Sequence, residues 1–85
     1  MESGAMLNAL LEVAGRLGIQ VRQERLGGDG GGLCTLRGGR VLFVDLDADL
    51  ATRLDRSLNG VALVPELQLL YLPPALREAI DRRQR

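Results

Sequence analysis

The stretch Gly31–Asp47, GGLCTLRGGRVLFVDLD, decides the fold of this 85-residue chain. Two short apolar segments flank a Gly-Gly pair, and this arrangement is typical of a tight β-hairpin, because glycine adopts the positive φ angles of the turn freely. With Gly38 and Gly39 as the two loop residues, Leu36 is predicted to pair with Val41. The same register places Arg37 opposite Arg40, Thr35 opposite Leu42, Cys34 opposite Phe43 and Leu33 opposite Val44.

Side chains alternate along a strand, so the hairpin has two faces of different composition. One face carries Cys34, Leu36, Val41 and Phe43, and the other carries Leu33, Thr35, Leu42 and Val44. Because the second segment is apolar on both sides, we expect both faces to be covered. We predict that helices of the chain cover the Cys34 face. The candidate interface with a second copy of the protein is then Leu33, Leu42 and Val44.

The segments around the hairpin predict three helices. Apolar residues at helical spacing indicate helices over 4–17, with Ser3 as the N-cap, and from Asp45 to about Ala62. The pair Asn59-Gly60 is a signal for the end of a helix, but apolar residues continue at helical spacing through Val61. This spacing favours a second helix that continues past Gly60. Pro73-Pro74 begins a third helix, because proline is tolerated in the first turn. Gly15, inside the first helix, predicts a close approach of another segment.

The remaining segments complete an α+β domain. The pattern over Ile19 to Arg25 predicts an edge strand. The pattern over Leu67 to Leu72 fits either a strand or a buried loop, and we favour a short strand. The predicted fold is a single domain over residues 1–85. It has a small three-stranded antiparallel sheet, an optional fourth strand and three helices, in the order α-β-β-β-α-(β)-α.

Composition excludes several classes of function. Eleven basic and eleven acidic residues give no net charge, whereas nucleic-acid-binding domains are usually strongly basic. The chain has no histidine, the usual general base and zinc ligand, and its only aromatic residues are Phe43 and Tyr71, too few for a base-stacking platform. A weaker nucleic-acid hypothesis uses a basic tip of Arg37 and Arg40 with the arginines that end the last helix, Arg82, Arg83 and Arg85.

The cysteine content and the apolar pattern predict a cytoplasmic protein. Cys34 is the single cysteine and cannot form an internal disulfide, which suits a reducing compartment. The chain starts with the acidic sequence Met-Glu-Ser-Gly, unlike a signal peptide. No apolar run approaches the roughly 20 residues of a membrane span, so no membrane partner is expected.

The glycine-rich connection 27–32 invites a phosphate-binding interpretation. A P-loop requires a Lys-Ser/Thr pair with a helix after it, but this chain has no lysine and a strand follows. A flexible turn between antiparallel strands is therefore the favoured prediction.

Asp45, Asp47 and Asp49 follow the apolar strand and admit three interpretations. A calcium-binding EF-hand loop fails, because Leu50 stands where that loop needs glycine and Arg56 where it needs glutamate. The sequence Val41–Leu50 resembles the first motif of the haloacid-dehalogenase phosphohydrolases, and the resemblance implies Asp45 as nucleophile and Asp47 as acid/base around Mg²⁺. That family's Gly-Thr is Ala48-Asp49 here, and its later lysine has no counterpart. The favoured interpretation is helix capping, with Asp47 as the N-cap.

Two further resemblances concern the chain as a whole. Leu17-Gly18-Ile19-Gln20-Val21 and Gly32-Leu33 resemble the N-terminal half of ImmA/IrrE-type zinc metallopeptidases, but the chain has no His-Glu-x-x-His motif. The resemblance therefore implies a non-catalytic relative. The segments 31–34 and 71–78 are similar to a family of small bacterial proteins without an established activity.

Together these features predict a non-enzymatic protein-interaction module. We expect a homodimer, or a complex with another protein, without a cofactor. The alternative is a metal-dependent phosphotransfer or hydrolytic site on Asp45, Asp47 and Asp49.

Overall fold

Within residues 1–84, which the computed structural model describes, three α-helices pack with one three-stranded sheet. This architecture confirms the predicted α+β class. The elements in chain order are α1 (Ser3–Arg16), β1 (Gln20–Glu24), β2 (Gly32–Leu36), β3 (Gly39–Asp45), α2 (Leu50–Val61), a 3₁₀ helix (Pro65–Leu69) and α3 (Pro74–Arg83).

The sheet is mixed, so the prediction of a purely antiparallel sheet was wrong. Its strand order is β1-β3-β2, with β1 parallel and β2 antiparallel to the central strand β3. After β1, the chain crosses the end of β3 to start β2 at the far edge, and the hairpin then returns it to the centre. This path makes β1 an edge strand, as predicted, and it makes β1 parallel to β3.

The hairpin turn lies one residue earlier than predicted. Its central residues are Arg37 and Gly38, with φ angles of 51° and 80°, as a type I′ turn requires. Leu36 therefore pairs with Gly39, Cys34 with Val41, Leu33 with Leu42, and Thr35 rather than Arg37 lies opposite Arg40. The pairing differs from the prediction by two residues, an even number, so the composition of each face is unchanged.

The helices cover the opposite face from the one predicted. Leu42 and Val44 are buried in the core, and Leu33 packs against that core, so the three residues predicted as an interface are covered by the chain itself. The reason lies in β1, whose Gln20, Arg22 and Glu24 share the Cys34 face and make it too polar for the core. The fully buried large core residues are Leu10, Leu42, Val61, Leu67, Leu76 and Ile80.

The bounds of α1 and the end of α2 are close to the predicted ones, but α2 starts at Leu50, five residues after the predicted Asp45, which is still part of β3. The caps also differ. The carboxylate of Glu2, not the hydroxyl of Ser3, accepts a hydrogen bond from the backbone N–H of Ala5 and caps α1. The N-cap of α2 is Asp49, two residues beyond the predicted Asp47. Continuation of α2 through Asn59-Gly60 is confirmed.

The predicted strand over Leu67–Leu72 does not form. Pro65 starts a 3₁₀ helix instead, because its fixed φ suits the first turn of a helix and it has no N–H for a strand ladder. Leu67 from this helix is fully buried. The segment thus connects α2 to α3 and contributes Leu67 to the hydrophobic core.

Candidate functional site

Asp45, the last residue of β3, is almost completely buried, with 2% of its surface exposed. The segment 25–31 crosses the sheet edge here on its way from β1 to β2. Oδ1 of Asp45 accepts hydrogen bonds from the backbone N–H groups of Leu26 and Asp47, both at 2.9 Å. Oδ2 accepts them from Gly28 at 2.7 Å and Gly30 at 3.1 Å. Two amide donors therefore bind each carboxylate oxygen.

This hydrogen bonding controls the charge of Asp45. Burial alone raises its pKa, but the amide donors of Leu26, Asp47, Gly28 and Gly30 together outweigh burial and hold the pKa below the usual value. The side chain is thus ionised at neutral pH. The glycine-rich segment is an anion cradle of backbone N–H groups, and the anion is the chain's own carboxylate.

The prediction of a flexible turn missed this cradle. Two sequence signals pointed to it: an aspartate directly after a buried strand, and a run of glycines that can turn its amides inward. Gly27, Gly28 and Gly31 all have positive φ, which side chains rarely adopt. A Cβ on Gly31 would also lie 3.1 Å from the carbonyl oxygen of Phe43, so glycine is required there on two grounds.

The other two aspartates have separate roles. Asp47 accepts hydrogen bonds from the Gly27 N–H at 3.0 Å and from Arg25 Nε at 2.9 Å. Asp49 accepts one from the Thr52 N–H at 2.8 Å, and this bond lowers the pKa of Asp49. Each of the three carboxylates thus accepts at least one backbone N–H, but only Asp49 caps a helix, so the predicted N-cap at Asp47 was wrong.

The geometry gives no support to the metal-dependent alternative. In the described chain, residues 1–84, no three acidic, cysteine or histidine side chains are grouped to hold a metal ion. The acceptor positions of Asp45 are occupied by four amides, so attack on phosphorus or binding of a cation would require the cradle to open. No observation therefore favours a hydrolytic site at Asp45, Asp47 and Asp49.

No helix covers the other face of the sheet, although Val41 and Asp45 on that face are buried. On it, Cys34 is exposed, Leu36 keeps 46% of its surface accessible, and Phe43 is half-buried. The guanidinium of Arg22 lies 5.5 Å from the centre of the Phe43 ring, and it also pairs with Glu24 at 2.6 Å. A shallow cleft of about 640 Å³ on this side includes Gln20, Arg22, Leu36, Arg37 and Val41 in its lining.

Most of the arginines proposed for nucleic-acid binding are paired with acceptors. Arg40 forms a salt bridge with Glu66 at 3.0 Å, and its hydrogen bond lowers the pKa of Glu66. Arg82 pairs with Glu78, and Arg83 pairs with Asp55. Arg37 is exposed and has no ion-pair partner among residues 1–84, while Arg85 lies outside the described residues. In the predicted basic tip, the charge of Arg40 is thus paired with Glu66, and that of Arg37 is not paired within residues 1–84.

Exposed apolar side chains also occur on the helical side. Leu63, Leu69 and Tyr71 are each more than three-quarters exposed. Tyr71 borders a groove of about 220 Å³ along α1, which Val13 and Pro73 also line. As far as residue 84, no helix is both long and apolar enough to cross a membrane.

Fold and surface together define a small α+β domain with helices on one face of a mixed sheet and the other face uncovered. Comparisons with protein-family models, with curated proteins and with solved structures found no match to the chain. The resemblances drawn from the sequence therefore stay predictions.

Proposed function

We propose that the protein is a non-enzymatic interaction module that acts as a homodimer, with the uncovered sheet face and the free edge of β2 as its contact surface. The observation that carries the proposal is the exposure of Leu36 and Cys34, beside the half-buried Phe43, on the sheet face that no helix covers. Apolar side chains that gather on one uncovered face are typical of association surfaces.

A second copy of the chain is the partner that the charges favour. The chain has no net charge, so two copies do not repel each other strongly. Within residues 1–84, Arg37 and Asp29 are exposed charges of opposite sign without an ion-pair partner. They flank opposite ends of β2, and a self-complementary surface of this kind suits a twofold dimer.

We also propose that the module works in the cytoplasm. Its one thiol, Cys34, is exposed and unpaired. An exposed thiol stays reduced in a reducing compartment, whereas secretion would expose it to oxidation.

Sedimentation velocity over a series of concentrations, in the presence of reductant, tests the dimer. We expect the mass to rise from that of one chain to that of two, and Leu36→Glu to shift this transition to higher concentration by placing a charge in the contact. Leu63→Glu is the matched control, because Leu63 is an exposed leucine on the helical side.

Two results would contradict the proposal. A monomer at every concentration would remove the homodimer. Dissociation by Leu63→Glu but not by Leu36→Glu would move the contact to the helical side.

A further inference from the structure

We propose that two copies join through the outer edges of their β2 strands, antiparallel about a twofold axis at Cys34, so that the sheet continues to six strands. This inference rests on the homodimer proposed above and specifies how the β2 edges, one part of the proposed contact surface, meet. The resulting strand order is β1-β3-β2 in one copy followed by β2-β3-β1 in the other.

The outer edge of β2 has free backbone groups. In an antiparallel pair, hydrogen-bonded and non-hydrogen-bonded residue pairs alternate. Because Leu36 and Gly39 close the two-residue turn, Cys34–Val41 and Gly32–Phe43 are the hydrogen-bonded pairs farther along the hairpin. The N–H and C=O groups of Leu33 and Thr35 therefore point away from β3, toward the edge.

This edge lacks the features that normally block strand addition. Natural edge strands carry charges, proline or a bulge that prevent pairing with another chain. The sequence of β2, GLCTL, has no charge and no proline, and its pairing with β3 is continuous from Gly32 to Leu36. Gly32 at its start has a φ of 115°, so the regular extended part of the edge is Leu33–Leu36. The side chains of Cys34, Thr35 and Leu36 are all exposed.

The strand is complementary to itself when the axis lies at Cys34. All five residues then overlap, and Leu33 and Thr35 of each copy exchange two hydrogen bonds with Thr35 and Leu33 of the other. Leu36 lies opposite Gly32 of the second copy, where the space a Cβ would occupy has no neighbour within 4 Å. The exposed leucine of each copy thus meets a position without a side chain.

The unpaired charges select the antiparallel orientation. Arg37 follows the C-terminal end of β2, and Asp29 lies in the loop before its N-terminal end. Antiparallel pairing places Arg37 of each copy at the end of the contact where the Asp29 loop of the other leads into β2, twice by symmetry. Parallel pairing would instead bring the two Arg37 side chains together.

The geometry makes Cys34 a reporter of the register. At the axis the two Cys34 residues form a non-hydrogen-bonded pair, with Cα atoms about 4.5 Å apart, which is within the range that a disulfide spans. A five-residue edge contact is smaller than the roughly 1,200–2,000 Å² of a standard interface, so we expect a weak, concentration-dependent dimer.

The first test is oxidation of the whole protein with copper–phenanthroline and O₂, followed by a non-reducing gel. We expect the native protein to form a disulfide-linked dimer rapidly. The comparison is the double variant Cys34→Ser/Thr35→Cys, which keeps one thiol on the same edge but moves it off the axis to the other sheet face. It should cross-link much more slowly, and an equal or higher rate would overturn the register.

The second test reverses the charges. Arg37→Asp and Asp29→Arg should each raise the dissociation constant about tenfold, because each turns two attractive pairs into repulsive ones. Aspartate tolerates the conformation of residue 37, so the hairpin is retained, and circular dichroism checks this. The double variant should regain native affinity, and its failure to do so would overturn the proposed orientation.

The outcomes distinguish this arrangement from the proposed function. If the native protein sediments as a monomer at all concentrations, the homodimer itself is wrong. If it sediments as a dimer while the off-axis thiol cross-links as fast as Cys34, only the β2 pairing is wrong and the homodimer stands.

Discussion

Asp45 acts as an internal ligand for the glycine-rich segment. Cradles of backbone N–H groups usually bind an external anion such as phosphate. Here a carboxylate at the end of β3 occupies that position, and its charge strengthens each hydrogen bond. Asparagine has nearly the same shape, but its amide would place N–H donors against the amides of Gly28 or Gly30, leaving buried groups unpaired.

We therefore expect Asp45→Asn to lower the melting temperature at neutral pH by on the order of 10 °C. The effect should depend on pH with a defined sign. The folded pKa lies below the unfolded value of 3.8, so the ionised side chain stabilises the fold fully above that value, and the contribution is lost as the pH falls through the folded pKa. Thermal melts of both proteins between neutral and strongly acidic pH measure the difference.

Asp47→Asn is the matched control, because Asp47 is more exposed and accepts only one backbone N–H. Its effect on the melting temperature should be smaller at every pH. A difference between Asp45→Asn and the native protein that stayed constant down to the lowest pH would contradict the role of the charge at Asp45.

At the scale of the elements, the hairpin shows what local sequence can and cannot predict. The glycines predict a turn, but Arg37-Gly38 and Gly38-Gly39 can both adopt positive φ, so the local sequence does not choose between them. The two registers differ by an even number of residues, so both leave the composition of the two faces unchanged. The apolar pattern of the strands therefore does not choose between them either, and the exact register lies beyond what the local sequence predicts.

The glycines of the helices illustrate the same limit. Gly15 predicted a close approach, yet a Cβ there would have no neighbour within 4 Å. The close approach occurs at Gly60 of α2, where a Cβ would lie 2.9 Å from the Cβ of Leu33 in β2. Sequence identifies a glycine as unusual in a helix but does not tell which helix lies against the sheet.

This contrast gives opposite predictions for the same substitution. Gly15→Ala should stabilise the protein by about 0.5–1 kcal/mol, because alanine is the better helix former. Gly60→Ala should destabilise it by about 1–3 kcal/mol, because α2 must move away from β2 and that cost exceeds the gain in helix propensity. Urea unfolding of both variants measures the two changes, and stabilisation by Gly60→Ala would contradict the close packing of α2 on Leu33.

At the scale of the whole molecule, the strand order decides which sheet face is buried. The hairpin sequence correctly predicted two faces, but the choice between them depended on β1, which pairs in parallel with β3 and places Arg22 beside Phe43. Parallel pairing with a non-adjacent strand is a long-range property, and the sequence pattern of each strand does not specify it. The role of Asp45 was missed for the same reason, because it requires a loop that crosses the end of β3.

The loop from β1 to β2, which crosses the end of β3, predicts an unusual pattern of amide hydrogen exchange. Glycine-rich connections normally exchange their amide hydrogens quickly, because they open without disturbing the core. Here the amides of Leu26, Gly28 and Gly30 are bonded to a buried carboxylate at the end of the central strand, and releasing them would leave its charge unpaired. We expect these amides to exchange nearly as slowly as those of β3 when hydrogen exchange is followed by NMR.

The amide of Asp29, in the same loop but without a hydrogen-bond acceptor among residues 1–84, should exchange rapidly and serves as the internal control. Fast exchange at all four positions would mean that the loop opens independently of the sheet, and that Asp45 does not fix the path from β1 to β2.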